Sequence, residues 1–187
     1  MDTMKEDPAV YGTPTPHHQS ETSKHRELFL PYIPSCNVLD IGYGGDPVVP
    51  WAVCCDMSDG SYTNVGDVPM QLGFDCRSLP FKDGVLEGIF SSHLIEDFTY
   101  TEQVQILKEW IRCIRPGGVI ALLQPDQQRF EAHCAATGQG LNLGHKEPEY
   151  SLATFKNIVW NRIRGGMTRL KAQDLEDYSW MFVMGKL

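Results

Sequence analysis

Short apolar runs recur along the chain, and each is followed by a glycine, a proline or a polar residue. Such runs predict buried strands rather than helices, because they are brief and end in turn residues. The predicted strands cover residues 37–41, 52–56, 85–91 and 119–123. Two more runs, at residues 168–172 and 179–184, follow the break at Gly165-Gly166 and predict an antiparallel pair at one edge of the sheet.

Helical spacing of apolar residues is clearest between residues 101 and 115. Thr99 and Glu102 match a capping box at the start of this segment, and the Pro-Gly-Gly sequence at residues 116–118 ends it. Its apolar face carries Val104, Leu107, Ile111 and Ile114. Weaker patterns predict further helices at residues 20–32, 127–136 and 152–162.

Strands that alternate with helices predict an α/β fold. We expect a three-layer Rossmann-like sandwich with a mostly parallel sheet and an antiparallel edge pair at the C-terminus. The 187 residues suffice for one domain, residues 1–187, with an irregular, proline-containing arm at residues 1–20. Residues 57–73 are expected to form a loop. The connection between the first two strands is too short for a full crossover helix, so at most about one helical turn can follow the first strand.

A glycine-rich turn follows the first predicted strand. Gly42, Gly44 and Gly45 lie where the backbone must turn sharply or let a ligand approach, and Asp40 stands at the end of the strand. Polar residues also follow the other strands or adjoining turns: Asp56, Asp75, Ser92, His93 and Asp126. Ligands of open parallel sheets bind beyond the carboxyl ends of the strands, so we expect these residues to surround one site.

The composition narrows the class of ligand and partner. A net charge of −8 argues against general binding of nucleic acid. The basic segment 156–171 is the exception; a solvated surface is its default interpretation, and a patch for an anionic small-molecule acceptor is the alternative. No signal peptide or membrane span is visible, so we expect a cytoplasmic protein. The sequence carries no signal for the oligomeric state.

Metal chemistry has little support in the sequence. Six cysteines are present, but none forms a Cys-x-x-Cys pair, so we expect no zinc site. Reduced and mostly buried thiols are the expected state of these residues.

The charges around the glycine-rich turn distinguish between nucleotide-like ligands. A pyrophosphate prefers a helix N-terminus and neutral or positive surroundings, but here Asp40 and Asp46 flank the turn. A nicotinamide-dependent oxidoreductase would also need a third glycine where this chain has Pro47. A cationic ligand without phosphate fits better, and S-adenosylmethionine is such a ligand.

Three sequence motifs resemble those of class I S-adenosylmethionine-dependent methyltransferases. Residues 38–45 (VLDIGYGG) resemble the first motif of the family. Residues 79–81 (LPF), followed by Asp83 and the strand that leads to Ser92-His93, resemble the middle motifs. Residues 114–118 (IRPGG) before an apolar strand are typical of the family. The resemblance covers about residues 25–126.

The resemblance implies a role for each matching residue. The glycine-rich turn would approach the methionine part of the cofactor, and Asp40 would act through its amino group. Asp56 would bind the ribose hydroxyls, while Asp75 and the backbone of Cys76 would contact the adenine. Ser92 or His93 would lie near the sulfonium. The implied cofactor-binding set is Asp40, Gly42, Tyr43, Gly44, Asp56, Met57, Asp75, Cys76, Ser92 and His93.

The reaction implied by the resemblance is methyl transfer to a small molecule, which leaves S-adenosylhomocysteine as product. An oxygen acceptor, which we favour, needs a base that removes its proton. The candidates are His93, Asp126, His133 and His145. The chain departs from the family at Asp46, where a glycine is expected. A protein that binds the cofactor without methyl transfer therefore remains an alternative.

Overall fold

The computed structural model describes residues 21–57 and 68–187. The predicted arm at residues 1–20 and most of the predicted loop at 57–73 lie outside these residues. The strands, in chain order, are β1 (Val38–Ile41), β2 (Val53–Asp56), β3 (Leu72–Gly73), β4 (Leu86–Ser92), β5 (Ile114–Pro125), β6 (Met167–Asp174) and β7 (Ser179–Lys186).

The helices occupy the four segments that the apolar pattern predicts. They are α1 (Glu21–Phe29), α2 (Tyr100–Cys113), α3 (Gln127–Thr137), and a short α4 (Leu152–Thr154) that continues through a π-helix (Phe155–Trp160) into α5 (Asn161–Ile163). Two 3-10 turns, Leu30–Tyr32 and Ile95–Asp97, complete the helical elements of the described residues. The predicted capping box of α2 is confirmed, because Thr99 and Glu102 satisfy each other's backbone amides.

The seven strands form one sheet in the order β3-β2-β1-β4-β5-β7-β6. Strands β1 to β5 pair in parallel, whereas β7 pairs antiparallel with both β5 and β6. The predicted α/β Rossmann-like fold, with an antiparallel edge at the C-terminus, is confirmed. The order reverses beside β1, between β1 and β4, so ligands are expected beyond the carboxyl end of β1.

The connection between β1 and β2 contains turns and bends but no helix, as its length predicts. Val48 and Val49 of this connection are fully buried, and they pack against Phe29 and Phe90 in one apolar core. The opposite face of the sheet is covered by α2 and the helices of residues 152–163, around a larger core that contains Trp110. A buried loop therefore replaces the first crossover helix on one face of the sheet.

Three predicted boundaries are wrong. Residues 72 and 73, placed in a loop, form β3, because their backbone pairs with the end of β2 at Cys55 and Asp56. Strand β5 begins at Ile114 instead of 119, and α2 ends at Cys113. The Pro-Gly-Gly sequence lies inside β5, where the register against β4 shifts between Leu86 and Gly88. A bulge admits proline and glycine into a strand, so these residues do not separate the two elements here.

Gly118 provides a test of this bulge. A Cβ at this position would lie 2.5 Å from Cγ2 of Ile114 and 2.9 Å from the carbonyl oxygen of Glu87. We expect Gly118→Ala to lower the free energy of unfolding by about 1–3 kcal/mol, the usual cost of overpacking. Chemical denaturation monitored by circular dichroism measures this value.

Gly165→Ala is the matched control for this variant. Nothing lies within 4 Å of a Cβ at Gly165, so its stability should stay within about 0.5 kcal/mol of wild type. Equal stability of the two variants would contradict the packing described at the bulge.

Candidate active site

A cavity of about 560 Å³ opens beyond the carboxyl ends of β1, β2 and β4. Its walls come from the turn after β1, the end of β2, the end of β4, the start of α1, and the loop after α3. The residues that line it are Glu21, Thr22, Gly42, Tyr43, Gly44, Asp46, Asp56, Met57, Ser92, His93, Leu94, Asp97, Phe130, Gln139, Gly140, Leu141 and Asn142. The cavity is large enough for a ligand of drug-like size.

The turn after β1 brings backbone close to the cavity. Gly42 has a φ of 71°, and a Cβ there would lie 2.9 Å from Cδ2 of Leu94. Both the conformation and the space therefore require glycine. Tyr43 lines the cavity as well, and its hydroxyl donates to the carbonyl oxygen of Val68 at 2.8 Å. This bond joins the turn to the segment that leads into β3.

Asp40 lies beneath the turn and does not line the cavity. Its carboxyl group is fully buried, and Oδ2 accepts a hydrogen bond of 2.7 Å from the amide of Val48. Oδ1 has no hydrogen-bond partner among the described residues. Burial raises the pKa of Asp40 to about 8, although the bond from Val48 opposes the shift. Asp40 therefore supports the turn from below.

Asp56 stands at the end of β2 and lines the cavity. Its Oδ1 accepts a hydrogen bond of 2.8 Å from the amide of Met57. Burial raises the pKa of Asp56, whereas bonds from the amides of Met57 and Gly44 oppose that change. The carboxylate thus lies at the cavity wall, next to the glycine-rich turn.

Asp46 connects the turn to helix α1. Its two oxygens accept hydrogen bonds from the amide of Ser23 at 2.8 Å and the hydroxyl of Ser23 at 2.7 Å. Oδ1 also pairs with Arg26 at 2.6 Å, and both side chains are largely buried. Asp46 is not among the described residues with a positive φ, so no glycine is needed here. The departure from the family pattern therefore has a structural role: it fixes α1 over the cavity.

His93 occupies a strained position at the cavity wall. Its φ is 50°, a left-handed conformation that is rare for a residue with a side chain and that clusters at functional sites. Burial lowers the pKa of His93 to about 4, so the ring is neutral at pH 7. Its Nε2 atom is buried and has no hydrogen-bond partner among the described residues.

The remaining predicted cofactor residues lie apart from the cavity lining. The Asp75 carboxylate forms an ion pair with Arg77 at 2.6 Å, and that pair lowers the pKa of Asp75. Cys76 is buried; burial raises its thiol pKa to about 12, and its carbonyl oxygen accepts from the indole of Trp110. Both are absent from the residues that enclose the cavity.

Three predicted base candidates also lie outside the lining. Asp126 caps α3, because its carboxylate accepts from the amide of Arg129 at 3.0 Å. The His133 ring packs against Tyr178 with 4.8 Å between centroids. His145 lies behind the cavity wall and contacts Gln127. Only His93 of the four candidates lines the cavity.

The sequence analysis missed several residues of the cavity wall. Glu21 and Thr22 arrive from α1, Asp97 from the 3-10 turn after β4, and Phe130 from α3. Asp97 stands four residues after His93, in the segment that follows the end of β4, and this position was a usable signal. No motif indicated α1 or the loop at residues 139–142, because their place at the cavity depends on tertiary contacts.

Two further groups of residues bear on ligand chemistry. None of the five cations of the basic segment 156–171 lines the cavity. Glu21, His25 and Asp177 place potential metal-ligating atoms within 4.8 Å of one another. His25 already pairs with Asp177 at 2.8 Å, and Glu21 accepts from Tyr178, so protein contacts account for this group.

Among the described residues, no helix is long and apolar enough to cross a membrane.

Comparison with known proteins agrees with the fold. Residues 39–122 match a family described as methyltransferase domain. No curated protein sequence matches the chain. The fold is similar to a protein from Pyrococcus horikoshii OT3, with a TM-score of 0.65 and 17% identity over 97% of this chain and 96% of that one.

Two other solved structures share the fold. A S-adenosylmethionine-dependent methyltransferase from Aquifex aeolicus has a TM-score of 0.61 and 15% identity, over 98% of this chain and 100% of that one. A putative methyltransferase from Haloferax volcanii, solved with the Trm112 methyltransferase activator, has a TM-score of 0.63 and 14% identity, over 90% of each chain. At these identities the structures show the fold alone. The domain match over residues 39–122 and the shared fold thus point to S-adenosylmethionine as the cofactor to test against the cavity.

The residues around the turn fit this cofactor. Gly42 permits the left-handed turn with Leu94 packed where a Cβ would lie, so backbone lines the cavity there and can approach the methionine part of a ligand. The buried Oδ1 of Asp40 lacks a partner, and a cationic ligand above the turn would favour the ionised carboxylate. Asp56 presents a carboxylate that can accept hydrogen bonds from two ribose hydroxyls.

The contacts of Asp46 with Ser23 and Arg26 should stabilise helix α1 against local unfolding. We expect Asp46→Ala to increase amide hydrogen exchange in residues 21–29 by about 10- to 100-fold, because hydrogen bonds to charged groups contribute about 1.5–3 kcal/mol. Hydrogen–deuterium exchange with mass spectrometry measures the change. Asp83→Ala is the control, since Asp83 is 81% exposed and pairs with Arg112. Unchanged amide exchange in α1 of Asp46→Ala would contradict a stabilising role of the Asp46 contacts.

Proposed function

We propose that the protein transfers a methyl group from S-adenosylmethionine to a small-molecule acceptor, and that the acceptor atom is oxygen. The neutral histidine at the cavity wall, His93, carries this proposal. The ring is neutral at pH 7 because burial lowers the pKa of His93, so it has a lone pair that can take a proton from a hydroxyl acceptor. An amine acceptor, once neutral, would not need such a base.

The cofactor would be held by the residues at the ends of β1 and β2. Gly42, Tyr43 and Gly44 would approach its methionine part, with Asp40 beneath them. Asp56 and Met57 would hold the ribose. When bound, the cofactor supplies a methyl group already activated by its sulfonium. Positions for the adenine remain a prediction, since Asp75 and Cys76 do not line the described cavity.

The acceptor would occupy the part of the cavity near the end of β4. Ser92, His93 and Asp97 supply polar contacts there, and Phe130 supplies an apolar wall. The main task of these residues is to orient the acceptor and exclude water, which can contribute about 7–11 kcal/mol to a reaction of this type. The net charge of −8 disfavours a nucleic-acid acceptor, which supports a small molecule.

His93 would act as the base. The acceptor hydroxyl gives its proton to the ring, and its oxygen keeps the electron pair with which it attacks the methyl group. The left-handed backbone of His93 directs the side chain from the end of β4, and strain of this kind persists only where surrounding packing maintains it. A cytoplasmic location and a single domain over residues 1–187 remain part of the proposal.

His93→Asn tests the assignment of the base. We expect turnover to fall by about 10²–10⁴-fold, the usual contribution of a general base, while affinity for S-adenosylmethionine changes less than about twofold. Formation of S-adenosylhomocysteine with a panel of hydroxylated small molecules measures turnover, and calorimetry measures affinity.

His133→Asn is the comparison variant, because His133 lies outside the cavity lining. It should retain turnover. Loss of turnover in His133→Asn, with full turnover in His93→Asn, would overturn the assignment. Formation of product with amines but with no hydroxyl compound would overturn the choice of oxygen.

A further inference from the structure

A buried carboxyl group lies behind His93, between two histidines. Glu96 is 1% exposed. Its Oε1 is 3.6 Å from Nδ1 of His93 and 3.7 Å from Nε2 of His145. Its Oε2 has no hydrogen-bond partner among the described residues. The separations to the two histidines are slightly longer than hydrogen bonds, as often occurs at catalytic sites before ligands bind.

The hydrogen-bond network determines which nitrogen of His145 carries its proton. The side-chain amide of Gln127 donates to Glu131 at 2.9 Å, so its Nε2 faces the carboxylate. Its Oε1 therefore faces His145 and must accept from Nδ1 of that ring. In neutral His145 the other nitrogen, Nε2, has a lone pair, and this lone pair faces Glu96.

A protonated Glu96 can form a hydrogen bond with each of its two neighbours, His93 and His145. Burial raises the pKa of Glu96 well above its usual value, and Asp97 raises it further. A hydroxyl at Oε1 would donate to Nε2 of His145. The same oxygen would still accept a hydrogen bond, and the group positioned to donate it is Nδ1–H of His93. One proton arrangement thus matches Oε1 of Glu96 to both rings, whereas Oε2 of Glu96 and Nε2 of His93 have no partner among the described residues.

We propose that Glu96 is a positioning residue that holds His93 in the Nδ1–H tautomer and keeps the lone pair on Nε2, the buried ring nitrogen that has no partner among the described residues and would take the proton of the acceptor. The inference rests on the proposed role of His93 as base. Proton transfer then puts a second proton on the ring at Nε2, while the electron pair of the broken O–H bond stays on the acceptor oxygen. His93 becomes an imidazolium that faces Glu96.

Other charged groups act on His93 from a greater distance. Glu21 and Asp177 favour its protonated form, whereas Lys24 and His145 disfavour it. Among the described carboxylates, only Glu96 is close enough to a ring nitrogen of His93 for an ion pair. Glu96 is therefore the group expected to determine the tautomer.

The tautomer can be measured directly, without knowledge of the acceptor. The protein labelled with ¹⁵N-histidine is studied by long-range ¹H–¹⁵N NMR at pH 7, with and without S-adenosylhomocysteine, and His93→Asn identifies the signals of His93 among the six histidines. We expect the Nδ1–H form to predominate at His93 in wild type. A predominant Nε2–H form, or a protonated ring, would overturn the proposal.

Two substitutions separate positioning from simple packing. Glu96→Gln keeps one donor and one acceptor, so it should retain the Nδ1–H form of His93. Glu96→Met removes both, so the ratio of Nδ1–H to Nε2–H should fall by about tenfold, as expected for the loss of one buried hydrogen bond. An unchanged ratio in folded Glu96→Met would overturn the role of Glu96.

If Glu96→Met does not fold, the wild-type tautomer and its retention in Glu96→Gln decide the question. Loss of the Nδ1–H form in Glu96→Gln then overturns the proposal.

This measurement is independent of methyl transfer. If His93 has the Nδ1–H form but His93→Asn does not change turnover, Glu96 contacts His93 as proposed, and His93 is not the base. If His93 has the Nε2–H form but His93→Asn lowers turnover strongly, His93 is still the base, and Glu96 is not its positioning residue.

Discussion

The buried carboxyl group of Asp40 is the interaction on which the site depends. It accepts a hydrogen bond from the amide of Val48 and thereby closes the turn that replaces the first crossover helix. Val48 and Val49 are then buried against the sheet, so one local contact supports both the core and the cavity. An isolated carboxylate is costly to bury, and its raised pKa reflects that cost. A cationic ligand above the turn would reduce it.

The second carboxylate of the turn, Asp46, extends this arrangement to α1. In a common dinucleotide-binding turn a glycine allows close approach of the backbone, and a helix follows. Here a side chain at that position binds the amide and hydroxyl of Ser23 and the guanidinium of Arg26. The cavity is thus bounded by a helix that precedes the sheet in the sequence, because the crossover helix is absent.

The sequence predicted the sheet and the glycine-rich turn at the cavity well, because strands and such turns carry local signals. Gly42 and Asp56 lie at the cavity, as the strand ends indicated. Glu96 was not identified, because its significance arises from its position between His93 and His145, which are distant from each other in the chain. The bulge in β5 was also missed, since Pro116 and Gly117 usually end an element and only pairing with β4 shows that they do not.

Titration calorimetry tests the central claim, that the turn above Asp40 holds S-adenosylmethionine. Purified protein is titrated separately with S-adenosylmethionine, S-adenosylhomocysteine and NAD. The account predicts binding of the two sulfur compounds and none of NAD, because Pro47 stands where a dinucleotide-binding turn has its third glycine, and no crossover helix follows the turn. Failure of both sulfur compounds to bind, or binding of NAD alone, would contradict the account.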